Sequence, residues 1–187
     1  MPRSVEFYFD FGSPARDLAH TQLPKLAAEC GAQIVWRPML LGGIFKATGN
    51  ASPATVPAKG RWMFGDLTRW AKRYGVPFAH NPHFPVNTLT SMRMATGLQM
   101  TRPAEFSRYC DAMFGAMWCD SRNLGDPEQL AATLTQAGLD AQAMLALAAQ
   151  ADVKARLIAT TDEAVARGVF GAPSFFVGDK LYFDQEQ

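Results

Sequence analysis

The run Phe7-Tyr8-Phe9-Asp10-Phe11-Gly12-Ser13-Pro14-Ala15-Arg16 holds a strand, a break and a helix start within ten residues. Val5 to Phe11 is apolar and rich in aromatics, which suits a buried strand, and Gly12 ends it. Ser13 is placed to cap the helix that follows, its side-chain oxygen accepting from first-turn amides. Pro14 suits the first helical position, where an amide hydrogen would have no partner. A strand that delivers a hydroxyl to the positive end of a helix makes a site for an anion, thiolates included. The same residues also describe an ordinary capped helix in an α/β domain, so both readings stand on this corner alone.

From Pro14 the pattern Leu18, Leu23, Leu26, Ala27 runs to a stop at Gly31, and Gln33 to Leu41 reads as a second strand. The opening is therefore β-α-β. A polar loop bearing proline and glycine is expected from Gly42 to Pro57, after which the period becomes helical to Gly168. Met63, Leu67, Trp70 and Tyr74 form one stripe, closed by Gly75-Val76-Pro77. Phe106, Cys110, Met113 and Met117 form another. Asp126-Pro127 starts a helix through Leu130 and Leu134 to Gly138, Asp140 starts the next, and Val153, Leu157, Ile158 and Val165 mark the last. These methionine and aromatic stripes read as core. Strand character returns at Ser174–Val177 and Lys180–Phe183, joined by Gly178-Asp179, a two-residue hairpin signal. Strands at both ends with helices between imply one α/β sheet with a helical insertion. The expected division is residues 1–58 and 152–187 for the sheet domain and 59–151 for the insertion.

With 187 residues the chain can build one sizeable core, and 48% hydrophobic with 19% charged residues suits a globular protein. Eighteen basic against seventeen acidic side chains leave a net charge of +1, which gives no electrostatic case for nucleic acid or an anionic membrane. Cys30, Cys110 and Cys119 lack metal or redox spacing and are expected as reduced thiols. Met1-Pro2-Arg3-Ser4 runs straight into the first strand without an apolar leader, and no apolar run is long enough to span a bilayer, so a cytoplasmic location is expected. His80 and His83 sit in a proline-rich loop without a third ligand, which is weak support for a metal, and none is expected. His20 reads as surface or rim, and Arg69, Lys72 and Arg73 as a solvated face.

Gly171-Ala172-Pro173-Ser174 lies between the last helix and the hairpin. Proline entering a strand removes a ladder hydrogen bond. A cis bond at Ala172-Pro173 would account for it, turning the chain and exposing the backbone of Ala172. A trans proline at a strand start is the plainer reading. In thioredoxin-like redox proteins such a cis-proline faces a Cys-x-x-Cys pair at a helix N-terminus. Here Ser13-Pro14-Ala15-Arg16 contains no cysteine, so a reacting sulfur must arrive with a ligand, and disulfide oxidoreductase chemistry is disfavoured.

The motifs then resemble a known family. Tyr8-Phe9-Asp10-Phe11-Gly12-Ser13-Pro14, Leu40-Leu41-Gly42-Gly43-Ile44-Phe45-Lys46-Ala47-Thr48-Gly49-Asn50, Val56-Pro57-Ala58-Lys59, Phe84-Pro85-Val86-Asn87-Thr88 and Val169-Phe170-Gly171-Ala172-Pro173 occur in family order. The chain resembles the 2-hydroxychromene-2-carboxylate isomerases, relatives of the kappa-class glutathione transferases within the DsbA-like thioredoxin superfamily. The resemblance implies a thioredoxin-like fold with an all-helical insertion, glutathione as cofactor, a small aromatic keto-acid substrate, a homodimer, and a place in aromatic hydrocarbon catabolism. It implies that Ser13 hydrogen-bonds the glutathione thiolate. Asn50, Lys59, Ala172, Pro173, Phe183, Gln185 and Glu186 are implied to bind the cofactor, with Ala172 offering its backbone. Phe45, Lys46 and Phe84 are the implied substrate contacts. On their own residues, Asn50 also reads as a turn residue after Gly49, and Lys59 as a solvated lysine at a helix start.

The chain departs from the family pattern in two places. Asp17 stands where the family usually has an aromatic residue, which would repel an acidic substrate. Phe183-Asp184-Gln185-Glu186-Gln187 stands for the family's Phe-Gly-Gln/Ser-Asp-Arg, where the sequence stops short of a final helix. The expected activity is glutathione-dependent interconversion of 2-hydroxychromene-2-carboxylate and trans-o-hydroxybenzylidenepyruvate. A kappa-like glutathione transferase or peroxidase is the runner-up, and a non-catalytic thioredoxin-like binding module the third reading.

Overall fold

The computed structural model describes residues 3–184; the side chains of Arg16 and Asp17, and all of Gln185, Glu186 and Gln187, lie outside the described residues. Four strands form one sheet: β1 (Arg3–Phe9), β2 (Ala32–Pro38), β3 (Ser174–Val177) and β4 (Lys180–Phe183). Their order is β2-β1-β3-β4, with β1 parallel to β2 and antiparallel to β3, and β3 antiparallel to β4. The first and last strands of the sequence thus share one sheet, as its two ends predict, and the architecture is a DsbA-like thioredoxin fold: a mixed sheet flanked by many helices.

β1 is apolar because both its faces are covered. Val5, Phe7 and Phe9 face the main core, where Phe7 lies in register between Trp36 and Phe175, with ring centroids 5.1 and 4.9 Å away. Tyr8 faces the other way, into a smaller cluster with Ile44, Ala164, Val169 and Phe176. On that second face Glu6 takes Arg37 at 2.8 Å and Arg167 at 2.9 Å. The Arg167 guanidinium also donates to the Tyr8 hydroxyl and lies 3.7 Å over the Phe176 ring. This network ties β1 and β2 to the end of the helix that precedes β3.

Eight α-helices lie among the described residues: α1 (Pro14–Glu29), α2 (Leu41–Thr48), α3 (Pro57–Tyr74), α4 (Leu89–Thr101), α5 (Phe106–Trp118), α6 (Pro127–Gln136), α7 (Ala141–Ala149) and α8 (Ala151–Ala166). The expected starts of α6 and α7 hold: Asp126 accepts from the amides of Glu128 and Gln129, and Asp140 from that of Ala143. One core joins the sheet to the helical block, because Phe7, Phe9 and Phe11 share it with Met92, Met113, Trp118 and Met144. None of the described helices is long and apolar enough to cross a membrane.

Four local expectations are corrected. β1 ends at Phe9 and β2 at Pro38, earlier than their apolar runs. The expected loop from Gly42 to Pro57 contains α2 and a short 3-10 turn at Pro53–Thr55. α2 forms despite two glycines because Ile44 is buried on one face, and a Cβ on Gly43 would sit 3.0 Å from the Thr161 methyl of α8. The helix stops at Gly49, at φ 70°. α4 shows no stripe because the buried residues, Ser91, Met92 and every one from Met94 to Leu98, include polar Ser91 and Thr96 and the side-chain-free Gly97. Ile158 lies on the solvent side of α8, 56% exposed.

Two outcomes follow from this packing. Gly97 sits where a Cβ would come 2.5 Å from Cγ of Leu147, whereas Gly115 faces open space. Gly97→Ala is expected to lower the unfolding free energy by about 1–3 kcal/mol through overpacking, and Gly115→Ala to leave it unchanged or raise it by up to about 1 kcal/mol, read from urea titrations. Burial alone would raise the Glu6 carboxyl pKa, but the hydrogen bonds and charges of Arg37 and Arg167 outweigh it and hold it below the ordinary value. Stability from Glu6 is therefore present above the pKa of the unfolded carboxyl and lost as pH falls through the folded one. Unfolding of Glu6→Gln, followed across the acid range, is expected to show a shallower loss of stability than the parent.

Candidate active site

The corner after β1 is built around a buried carboxylate. Asp10 is 2% exposed, and its Oδ1 accepts from the Gly12 amide at 2.9 Å and the Thr88 hydroxyl at 2.6 Å. Its Oδ2 accepts from the Leu41 amide at 2.8 Å, at the start of α2. One side chain thus joins the β1–α1 turn to α2 and to the residue before α4. The indole of Trp118 adds a further hold, donating to the Phe11 carbonyl at 2.9 Å. Burial without hydrogen bonds would cost a carboxylate several kcal/mol, so a single Asp in an aromatic run calls for such partners. That was the signal in the sequence for Asp10, and the motif reading gave it no role.

Ser13 follows, buried, with the extended backbone of an N-cap residue. The expected cap hydrogen bond is absent. Instead the hydroxyl donates to the Ala172 carbonyl at 2.8 Å, across 159 residues of chain. The Ala172-Pro173 bond is cis, as is Phe84-Pro85, which the sequence reading did not anticipate. The amides at the start of a helix have no partner within it. At the head of α1, Ser13, Pro14 and Ala15 line a cavity of about 820 Å³.

Phe45, Asn50, Lys59, Phe84, Ala172 and Phe183 also line this cavity, so the fold gathers most of the expected site residues from six separate segments. α2 contributes Phe45. α3 contributes Lys59, and Phe84 comes from the loop before α4, held by ring contacts to Phe64 and Trp118. Phe183 closes the other side, its ring against the backbone before the cis-proline: a Cβ on Gly171 would stand 2.8 Å from it. The Asp184 amide donates to the Pro173 carbonyl and fixes that end of β4. Pro173, expected to bind the cofactor, is buried and does not line the cavity.

Two expected residues do something else. Lys46 is exposed in the last turn of α2 and does not line the cavity. The Asn50 amide donates to the Phe170 carbonyl at 2.8 Å, and its oxygen accepts from the Ala51 amide, so it both makes the turn and straps it to the cis-proline loop. Gln185 and Glu186 fall outside the described residues. Trp62 and Phe170 are lining residues that the sequence reading missed. Cys30, Cys110 and Cys119 do not line the cavity, and among the described residues no group of three or more His, Cys, Asp or Glu could hold a metal.

Comparison with known proteins agrees with this geometry. A family profile, the DSBA-like thioredoxin domain, matches residues 4–187. The 2-hydroxychromene-2-carboxylate isomerase of Sphingobium xenophagum is 30% identical over 100% of this chain and 95% of its own length. That of Pseudomonas sp. (strain C18) is 33% identical over 98% and 85%. Human glutathione S-transferase kappa 1 is 29% identical over 92% and 80%. The solved structure of a 2-hydroxychromene-2-carboxylate isomerase superposes with a TM-score of 0.82 at 30% identity, covering 98% of this chain and 89% of that one. DsbA of Pseudomonas aeruginosa superposes at 0.61 with 19% identity, over 98% and 73%, and shares the fold. The chain belongs to the DsbA-like thioredoxin family. Within it, the chain falls with the 2-hydroxychromene-2-carboxylate isomerases, and relatives so named support an isomerase acting on a small molecule.

The Asp10 junction gives a direct test. Asp10→Ala leaves the Gly12 and Leu41 amides and the Thr88 hydroxyl without this acceptor, and is expected to cost about 3 kcal/mol or more of stability. Thr88→Val removes only the hydroxyl's bond and is expected to cost about 1 kcal/mol, both read from urea unfolding.

Proposed function

We propose that the protein is a glutathione-dependent isomerase that interconverts 2-hydroxychromene-2-carboxylate and trans-o-hydroxybenzylidenepyruvate. The observation that carries this reading is the 2.8 Å hydrogen bond from Ser13 to Ala172, both lining a cavity without cysteine. A hydroxyl, a helix N-terminus and the carbonyl that precedes the cis-proline converge there, and no cysteine lines the cavity. The cavity's size lies within the usual range for ligand sites, about 300–1,000 Å³. These features suit a thiol-bearing peptide.

Glutathione would supply a soft thiolate that adds reversibly to the conjugated double bond and is regenerated. The chain's own work is to hold and orient. Ser13 would turn its hydroxyl from Ala172 to the thiolate, and the freed Ala172 carbonyl would accept a backbone amide of the bound peptide. A hydroxyl and first-turn amides aimed at sulfur favour its charged form and lower its pKa. Ser13 therefore stabilises a thiolate and is not itself a covalent nucleophile, for its hydroxyl donates to a backbone carbonyl and not to a base. Phe45 and Phe84 give the substrate an apolar wall, and Lys59 is the only basic residue among the described residues that line the cavity. Holding both reactants together supplies most of what such a reaction needs.

The second reading, a kappa-like glutathione transferase, is favoured by the human relative and shares the same thiolate site. Kinetics with the parent protein separate the two: the isomerase requires glutathione and leaves its concentration unchanged, while a transferase accumulates a conjugate. Ser13→Ala is expected to stay folded, to raise the pKa of bound glutathione seen in ultraviolet thiolate absorbance, and to slow isomerisation at least about tenfold. Identical thiolate titrations for mutant and parent would remove Ser13 from this role.

A further inference from the structure

Trp62 is the most exposed large hydrophobic residue among the described residues, at 66%, and it lines the cavity. The other described tryptophans are engaged elsewhere: Trp36 and Trp118 in core ring contacts, and Trp70 against Tyr74. Trp62 makes no ring contact among the described residues. An indole left open at the rim of an apolar cavity gains most from a ligand that covers it.

Its position on α3 says what kind of ligand. Lys59 and Trp62 are three residues apart on one helix, so they are neighbours on the same face, and both line the cavity. Lys59 has no acidic partner among the described residues, whereas Asp66, one turn further along, is already paired with Arg69 at 2.7 Å. Phe170 lies on a different wall of the same cavity, 41% exposed, its ring 4.6 Å from Phe183 and its carbonyl held by Asn50. That wall is fixed by its own packing, while Trp62 has space over it.

We propose that Trp62 is the specificity-determining residue of the site, stacking on the aromatic ring of a planar anionic substrate while Lys59, one turn before it, takes the carboxylate. This rests on the isomerase reading and adds to it the residue that selects the substrate's ring. It also divides the labour: the Ser13 corner serves the thiol, and the α3 face serves the aromatic acid.

The probe is trans-2-hydroxycinnamate, a planar aromatic carboxylate, compared with its methyl ester by calorimetry in the absence of glutathione. Trp62→Ala is expected to weaken the acid and the ester alike by about tenfold, and Trp62→Phe to retain affinity within about threefold. Lys59→Ala is expected to weaken the acid and leave the ester unchanged. The probe should quench indole emission in the parent, and Trp62→Phe should lose that quenching. Because Trp62 is exposed, its variants should unfold at the parent's urea midpoint. Equal binding of the acid by parent and Trp62→Ala, or no binding by the parent, would overturn the proposal. Glutathione affinity is measured separately. If the parent binds no glutathione but Trp62→Ala still weakens the aromatic acid, the stacking wall stands and the cofactor reading falls. If glutathione binds all variants equally and the acid is indifferent to Trp62, the wall alone falls.

Discussion

The hydrogen bonds to the Asp10 carboxylate are the constraint on which the rest of the site depends. They fix the β1–α1 turn, the start of α2 and the approach to α4 around one buried group. The three segments lie far apart in sequence, and the low dielectric of the interior makes each bond to the carboxylate stronger and each loss more costly. Gly12 is where the turn passes closest: a Cβ there would lie 3.4 Å from Oδ1 of Asp10. Ser13 inherits its place from this turn. Its amide bonds back to the Asp10 carbonyl at 3.1 Å, which aims the side chain away from the core and toward the cis-proline loop.

The helices of the long block serve the site from behind. Trp118 of α5 is fully buried, yet it holds the Phe11 carbonyl and packs against Phe78 and Phe84, so the same side chain braces the corner and a cavity wall. Asn81, wholly buried, donates to the carbonyls of Met117 and Arg122 and keeps the loop that carries Phe84 against α5. On the opposite side Asn50 straps α2 to the Phe170 loop. The cavity is therefore framed by braced loops on three sides and by the exposed face of α3 on the fourth.

What could be read from the sequence was whatever depends on local chemistry. The hairpin at Gly178-Asp179, the caps at Asp126 and Asp140 and the stop at Gly75 each rest on one or two residues whose preferences are strong, and each is where it was expected. α2 was hidden because Gly42-Gly43 reads as loop, and only contact with Thr161 from the far end of the chain explains why glycine is needed within a helix. α4 was hidden because its buried residues include Ser91, Thr96 and Gly97, which break the apolar stripe by which a helix is recognised. Ser13 was placed correctly at the head of α1 but with the wrong partner, since a hydrogen bond to Ala172 depends on the sheet order and not on the neighbouring residues. Lys46 belonged to a recognised motif, yet its helix turns it to solvent. Trp62 sat beside a core stripe and differed from it by facing outward, a distinction that only the packed structure draws.

The central claim is that the Ser13–Ala172 corner binds a thiol as its thiolate. Calorimetric titration with glutathione near neutral pH, repeated in buffers of different ionisation enthalpy, counts the protons released on binding. The account predicts that glutathione binds with net release of a proton, while S-methylglutathione, which has no thiol to ionise, binds without it. No binding of glutathione, or the same proton release for both ligands, would contradict it.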